Sequence, residues 1–180
     1  MWQENYLWRF IHIFNYNILE VIHVKISKTF LLLIALVFVA GVGVVMAEDA
    51  TVDPYTFTIP DDYTIATSDD TTCAMQKDEY HAISFATGVG EDLEAAKQNL
   101  IDQGKTFLKE EDLKYNDMDI TLQAFSAEAG GTTLYVYNYV MLSEDGNFVV
   151  TVTTDDADFD SDLESEDNPA KVIFDSIQVN

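Results

Sequence analysis

The feature that most constrains this chain is an apolar run near its N-terminus. Two lysines lead into residues 29–47, which carry no charged side chain, and acidic residues begin at Glu48. A basic start, an apolar middle and a small-residue end are typical of an export signal, and Ala47 suits cleavage before Glu48. The sequence therefore predicts that residues 24–47 are a signal peptide and that the folded part works outside the cell membrane.

The same run is long enough to be retained. About 20 apolar residues span a bilayer, so uncleaved residues 29–47 would form a single transmembrane anchor. Lys25 and Lys28 on one side and the acidic residues on the other still place the C-terminal part outside. Both outcomes predict an extracytoplasmic protein, secreted or anchored at the cell surface, that meets the membrane only through residues 29–47.

Residues 1–23 precede this signal, although the lysines of a signal normally stand close to the initiator. One explanation is a start codon assigned too early, in which case Val24, read as Met from a GTG codon, begins the protein. The other explanation is a genuine extension beside a retained membrane helix. A peptide from the native protein that contains Trp2 or Trp8 would exclude the first explanation.

The residues after the signal are strongly acidic. The chain holds 9 Lys and Arg and 32 Asp and Glu, of which residues 48–180 contain six lysines, no arginine and 30 acidic residues, a formal charge of −24. Nucleic acid is excluded as a partner because it requires a basic surface. Cations, basic wall components and basic surface proteins fit this charge. The alternative is that the charge only keeps an exported protein soluble.

Residues 48–180 are enough for one domain that needs no disulfide. Cys73 is the one cysteine of the chain, and we expect it to be a buried strand residue rather than a reactive thiol. Residues 48–54 are predicted to be a linker. Alternating apolar and polar residues then predict β-strands at 55–59, 71–76, 81–87, 119–125, 132–142, 148–154 and 177–179.

Two helices complete the predicted fold. In residues 92–109 apolar residues recur at steps of three and four, and Asp92 is a suitable N-cap. Asn168 and Pro169 start a short helix that continues through residues 170–176. The predicted class is α+β: an antiparallel β-sheet with one long helix (about 92–109) and a short C-terminal helix packed on it, within a domain of residues 55–180.

The order of these elements resembles the superfamily of PsbP, the extrinsic protein of photosystem II, which also includes a Ran-binding nuclear import factor. The matching features are the opening Phe-Thr-Ile-Pro of residues 57–60, the helix after the early strands, the hairpin of residues 132–154, and the final helix and strand of residues 172–179. The resemblance implies an antiparallel sheet flanked by helices, and binding or assembly roles rather than catalysis. No functional residue is carried over.

The strongest candidate site is an acidic loop, residues 155–167. Six of its side chains follow the ligand spacing of a calcium-binding EF-hand: Asp156, Asp158, Asp160, Asp162, Glu164 and Asp167. Ser161 stands where an EF-hand needs glycine, and Asp167 replaces the bidentate glutamate, so the pattern predicts a looser calcium site. The alternative is a solvated charged loop without a metal.

A second candidate is a row of tyrosines on one predicted strand. Tyr135, Tyr137 and Tyr139 share a strand face. If exposed, they would form a binding surface for a sugar or a peptide, because aromatic side chains anchor many interfaces. The alternative is that they fill the core.

Catalytic residues are scarce. His81 is the only histidine after residue 47, and no nucleophile motif accompanies it. The sequence therefore predicts a non-enzymatic binding or accessory module at the cell surface that engages cations or a surface partner. Two alternatives remain, namely an extracellular carboxylate-dependent hydrolase acting on wall polymer and a structural surface protein without a ligand.

Overall fold

The computed structural model describes residues 49–142 and 146–180, which form two antiparallel sheets and two helices. The ten strands in these ranges are β1 (Asp49–Val52), β2 (Tyr55–Thr58), β3 (Thr64–Ser68), β4 (Thr72–Gln76), β5 (Ala82–Thr87), β6 (Thr106–Tyr115), β7 (Met118–Ala129), β8 (Thr132–Met141), β9 (Phe148–Thr154) and β10 (Gln178–Val179). The helices are α1 (Leu93–Asp102) and α2 (Pro169–Ser176). The predicted α+β class is confirmed.

The predicted extension (1–23) and the predicted signal or anchor (24–47) lie outside the described residues. Within the described ranges, no helix is both long enough and apolar enough to span a membrane.

The larger sheet has seven strands in the order β3-β4-β5-β9-β8-β7-β6, and every neighbouring pair is antiparallel. The smaller sheet has the order β1-β2-β10 and is also antiparallel. The predicted hairpin is present, because β8 pairs with β9 in a continuous register from Tyr135↔Thr154 to Met141↔Phe148.

The main core lies between one face of the large sheet and a layer made of the small sheet and α2. Four phenylalanines from four elements meet there: Phe57 of β2, Phe85 of β5, Phe148 of β9 and Phe174 of α2. Neighbouring ring centroids are 4.6 to 5.8 Å apart. Cys73 is also buried in this core, as the sequence predicts.

A second, smaller core lies on the opposite face of the large sheet, beneath α1. Leu100 of α1 packs there with Phe125, Val136 and the partly buried Phe107. The helix begins as predicted, because the Asp92 carboxylate accepts a hydrogen bond from the Ala95 amide at 2.9 Å.

The prediction of one long helix over residues 92–109 is wrong. The helix ends at Asp102, and Gly104 then adopts a φ of +87°, a left-handed conformation that stops a helix. From Thr106 the chain is a strand that pairs with β7. Leu100 and Phe107 do share an apolar cluster, as the periodicity suggested, but a turn and a strand bring them together.

The predicted linker at residues 48–54 is also wrong in part. Residues 49–52 form β1, which pairs with β2 and buries Ala50 and Val52 in the main core. The four-residue segment alternates exposed and buried side chains, but it is too short for its pattern to distinguish it from a loop. Strand β3 was not predicted for another reason. It lies at the edge of the sheet, where four of its five side chains are exposed and the fifth is partly exposed.

Candidate functional site

The acidic loop, residues 155–167, connects β9 to α2 and has an ordered alternation of side chains. Phe159, Ser161 and Leu163 turn inwards and are buried or half-buried. The carboxylates between and beside them turn to solvent; they belong to Asp158, Asp160, Asp162 and Glu164. We call these four side chains the acidic row. Because the inward residues alternate with the acidic ones, the row lies on one exposed side of the loop.

Two buried side chains hold the loop in place. The Tyr139 hydroxyl donates a hydrogen bond to the Ser161 carbonyl at 2.9 Å. The Asn168 amide donates to the Tyr139 hydroxyl at 2.9 Å and to the Asp162 carbonyl at 3.1 Å. The Asn168 side-chain oxygen also accepts from the Ala170 amide and caps α2, as the sequence predicts. One asparagine therefore joins the core, the loop and the helix.

The predicted tyrosine row points into the main core. Tyr139 is 0% exposed and Tyr137 is 6% exposed, whereas Tyr135 is partly buried. Burial raises the pKa of the Tyr139 hydroxyl well above its ordinary value of 10.0. The prediction that the row is an exposed binding surface is wrong, and the alternative that the tyrosines fill the core is correct. The tyrosine face of β8 meets α2 and the acidic loop, while its opposite face lies towards α1.

The structure brings the two predicted sites together. The Tyr137 ring packs on Phe159 of the loop, with centroids 4.8 Å apart, while Tyr139 holds the loop backbone. The tyrosines are thus the support on which the acidic loop lies. Phe159, Leu163 and Asn168 were not predicted to belong to this site, although the alternation of Phe159 and Leu163 with the carboxylates is visible in the sequence.

The loop carboxylates do not converge on a common point. Asp156, Asp160 and Asp162 each accept a hydrogen bond from the backbone amide two residues later, at 2.9 to 3.1 Å. Such turns direct the oxygen atoms to the chain itself. Within the part of the chain that the structure describes, no three His, Cys, Asp or Glu side chains are grouped so that they could hold a metal ion.

The lysines of the described domain form their ion pairs with carboxylates outside the acidic row. Five of the six lysines form ion pairs, with partners at 2.6 to 3.8 Å that include Asp62, Glu94, Glu110, Glu111, Asp119, Glu166 and Asp175. The remaining lysine, Lys105, donates to Gln103. Among the described residues, no lysine lies within ion-pair distance of a carboxylate of the acidic row.

His81 stands beside the start of the acidic loop. Its Nδ1 atom lies 2.8 Å from an Asp78 oxygen, and its Nε2 atom lies 3.7 Å from an Asp155 oxygen. The Asp78 carboxylate also accepts the backbone amides of Tyr80 and His81, so it caps the β4–β5 turn. His81 thus links the β4–β5 turn, through Asp78, to the acidic loop, through Asp155. These contacts account for the histidine as a structural residue.

A surface cavity of about 330 Å³ holds a pair of carboxylates, Asp112 and Asp119. The Asp119 side chain is 88% exposed and lies 3.8 Å from the Lys114 ammonium. The Asp112 carboxylate accepts a hydrogen bond from the Thr121 hydroxyl at 3.2 Å. A carboxylic acid that donates a proton in glycoside hydrolysis needs a poorly solvated setting, and this exposed pair has none.

No protein-family model matches the chain, and no curated protein matches it. Among solved structures, the chain is similar to cyanobacterial PsbP from Synechocystis sp. PCC 6803, with 12% identity and a TM-score of 0.49 over 79% of this chain and 98% of that one. A protein of Bacteroides thetaiotaomicron VPI-5482 has 10% identity and a TM-score of 0.48 over 71% of this chain, which spans 45% of that protein.

A Pseudomonas aeruginosa protein of unknown function has 12% identity and a TM-score of 0.37 over 60% of this chain and 82% of that one. These likenesses concern the fold and not a ligand, a partner or an activity.

Proposed function

We propose that this protein is an exported, non-enzymatic binding or accessory module at the cell surface, and that its acidic loop engages a cationic partner, either a basic surface protein or a basic wall component. The observation that carries the proposal is the fixed acidic row. Four exposed carboxylates are held on one side of the loop by buried residues, and in the described domain no lysine pairs with them. Preorganised charge of this kind favours association with an opposite charge.

The chemistry of the described residues supports a binding role over catalysis. Burial raises the pKa of the Cys73 thiol, and this disfavours the thiolate that a nucleophile requires. His81 is engaged by Asp78, and the carboxylate pair of the surface cavity is solvated. A hydrolase would instead need a general acid whose pKa its surroundings raise.

The test compares two variants with the same net charge. The loop variant carries Asp158→Asn, Asp160→Asn, Asp162→Asn and Glu164→Gln. Asparagine keeps the oxygen that accepts the backbone hydrogen bonds at positions 160 and 162, so the loop should keep its shape. The control variant removes four exposed carboxylates elsewhere through Asp61→Asn, Asp70→Asn, Glu79→Gln and Glu91→Gln.

Binding of each protein to poly-L-lysine is measured by calorimetry at about 0.15 M salt. We expect the loop variant to bind several-fold more weakly than the control variant, because the four carboxylates of the acidic row lie together on one side of the loop, whereas the four control carboxylates are far apart in the sequence. If both variants lose the same affinity, binding depends only on the net charge of the protein. That result would support the alternative in which the acidity merely maintains solubility.

Calcium is the other cation that the loop sequence suggests. In the structure, the carboxylates of Asp156, Asp160 and Asp162 accept hydrogen bonds from backbone amides of the loop. Calcium, which needs six to eight oxygen ligands, would have to break these hydrogen bonds before the carboxylates could surround it. If calcium binds the folded protein, about 1 mM calcium raises the melting temperature and calorimetry shows a saturable heat. An unchanged melting temperature, with or without a chelator, would restrict the proposal to basic macromolecules.

Export has its own test. We expect the protein to be recovered from the envelope or the medium of the cells that produce it, with Glu48 at its N-terminus if the signal is cleaved. N-terminal sequencing and intact mass decide between cleavage and anchoring. Recovery of the uncleaved chain from the cytosol, without envelope association, would contradict export.

A further inference from the structure

Strand β6 forms one edge of the seven-stranded sheet and offers a long unpaired side. It has ten residues and pairs only with β7. In the part of the chain that the structure describes, no loop or strand makes a backbone hydrogen bond to residues 106–115 from the other side. Edge strands of this kind present free N–H and C=O groups that can pair with another extended chain.

The two edges of this sheet differ. The opposite edge, β3, has five residues, and its register with β4 shifts between Ile65 and Thr67. Strand β6 has a shift near its start, at residues 107–109, and then keeps one register from Lys109↔Ala124 to Tyr115↔Met118. This leaves a regular, exposed edge of seven residues, which is long enough to receive a typical added strand of about five or six residues.

The charges near β6 decide which partner fits. Three acidic residues, Glu110, Glu111 and Asp112, occupy the middle of the strand, where Glu110 and Glu111 form ion pairs with lysines and Asp112 accepts a hydrogen bond. An antiparallel pair of two copies centred on these residues would set like charges opposite one another, which destabilises strand pairing. The edge is therefore protected against a second copy of this acidic chain. The excess of 32 acidic over 9 basic residues in the whole chain favours a basic strand as its partner.

One side chain of β6 contacts the acidic loop. The Lys109 ammonium of β6 donates a hydrogen bond to the Ser161 hydroxyl at 2.9 Å and lies 3.3 Å from a Glu111 oxygen. Ser161 stands between Asp160 and Asp162 of the acidic row. The acidic loop therefore contacts β6 through Lys109, at a point between two carboxylates of the acidic row.

We propose that the edge of β6 binds an extended, lysine- or arginine-rich segment of a partner protein as an additional strand of the large sheet. This inference rests on the proposed function, since it specifies how the cationic partner binds. Backbone hydrogen bonds to β6 supply the pairing, and carboxylates of β6 and of the acidic row select basic side chains.

The probe is a synthetic peptide of about ten residues in which lysine and valine alternate, with both ends blocked. The control peptide has the same number of lysines and two adjacent prolines at its centre. Because neighbouring residues direct their N–H groups to opposite edges of a strand, the two prolines interrupt pairing on either edge. Binding to the full chain in mild detergent is measured by fluorescence anisotropy, and hydrogen–deuterium exchange locates it.

We expect the strand-forming peptide to bind at least about tenfold more tightly than the proline peptide, since several hydrogen bonds are lost in the latter. Amide exchange should slow in residues 106–115 and stay unchanged in β3, the other edge of the sheet. The loop variant should bind both peptides more weakly.

Two results would overturn this inference, and they separate it from the proposed function. If both peptides bind equally, or if amide exchange in residues 106–115 does not change, the β6 edge is not the docking site. The proposed function would still stand if the loop variant binds poly-L-lysine more weakly than the control variant. If neither peptide nor poly-L-lysine binds, both proposals fail.

Discussion

At the scale of single residues, the candidate site depends on side chains that carry no charge. The acidic row is exposed, but Tyr139 and Asn168 beneath it decide where it lies. Tyr139 is fully buried and its hydroxyl makes two hydrogen bonds, one as a donor and one as an acceptor. Removing one member of such a buried group leaves its partners unsatisfied, which costs more than the net value of a hydrogen bond.

We therefore predict that Tyr139→Phe lowers the free energy of unfolding by about 1–3 kcal/mol. The substitution leaves the Ser161 carbonyl and the Asn168 amide without this partner. Urea denaturation measures the loss, and Tyr135→Phe, at a partly exposed position of the same strand face, is the control with a smaller expected change. Equal effects of both substitutions would show that the hydroxyl of Tyr139 does not hold the loop.

A second prediction concerns Asp175 of α2 and pH. The Lys171 ammonium, 2.8 Å away, holds the pKa of the Asp175 carboxyl below its ordinary value of 3.8, and hydrogen bonds from Tyr115 and Asn116 act in the same direction. A carboxyl whose pKa is lower in the folded state stabilises the fold above its unfolded pKa, and this stabilisation is lost as the pH falls through its folded pKa.

Wild type should accordingly be more stable than Asp175→Asn at neutral pH, and the difference should shrink as the pH falls below the ordinary carboxyl value. Urea denaturation across acidic pH measures this. The variant Lys171→Gln should reduce the same pH dependence, because it removes the first cause of the shift. A difference that stays constant down to the lowest pH would contradict this account.

At the scale of elements, the change from α1 to β6 shows how a short segment can override a periodic pattern. Apolar residues continue at helical spacing past Asp102, yet the chain turns at Gly104, whose φ is +87°. Phe107 then pairs across the sheet with Phe125, with ring centroids 5.6 Å apart. The last part of the predicted helix is therefore replaced by a turn and by the start of a ten-residue edge strand.

We predict that Gly104→Ala lowers the free energy of unfolding by about 1 kcal/mol, because a side chain disfavours the left-handed conformation. The backbone there has open space, so a clash does not contribute. Gly104→Asn should cost less, since asparagine tolerates this region better. Thermal denaturation compares the two; a larger loss for asparagine than for alanine would contradict the conformational explanation.

At the scale of the whole molecule, the negative charge of the chain opposes its compact fold. A formal charge of −23 on the chain is compatible with a compact fold because most acidic side chains in the described ranges are exposed to solvent. Repulsion among them still destabilises the compact state, and salt screens it.

Raising the salt concentration from about 0.05 M to about 1 M should therefore raise the melting temperature by several degrees. The control variant with four neutralised carboxylates should show a smaller salt response than wild type, because it has less repulsion to screen. Calorimetric melting curves measure both. A melting temperature that falls with salt would instead show that the ion pairs contribute more than the repulsion costs.

Most individual strands could be predicted because each alternates apolar and polar residues. Strand β9 was predicted from the alternation of Phe148, Val150 and Val152 and from the hairpin loop before it, although all seven of its side chains are buried. Strand β1 is too short and β3 too exposed for the pattern to reveal them. The N-cap of α2 was predictable because Asn-Pro is a local signal.

The sequence by itself determined the α+β class, the antiparallel hairpin of β8 and β9, both helix starts and the acidity of the loop, because these follow from the nature and spacing of neighbouring residues. Only the tertiary structure decided that the tyrosines of β8 face inwards, that Asn168 links them to the loop, and that β6 is an edge. Alternation shows that a strand has two different faces, but both faces of this sheet carry apolar residues. Which of them meets α1 and which meets α2 depends on contacts between residues far apart in the chain.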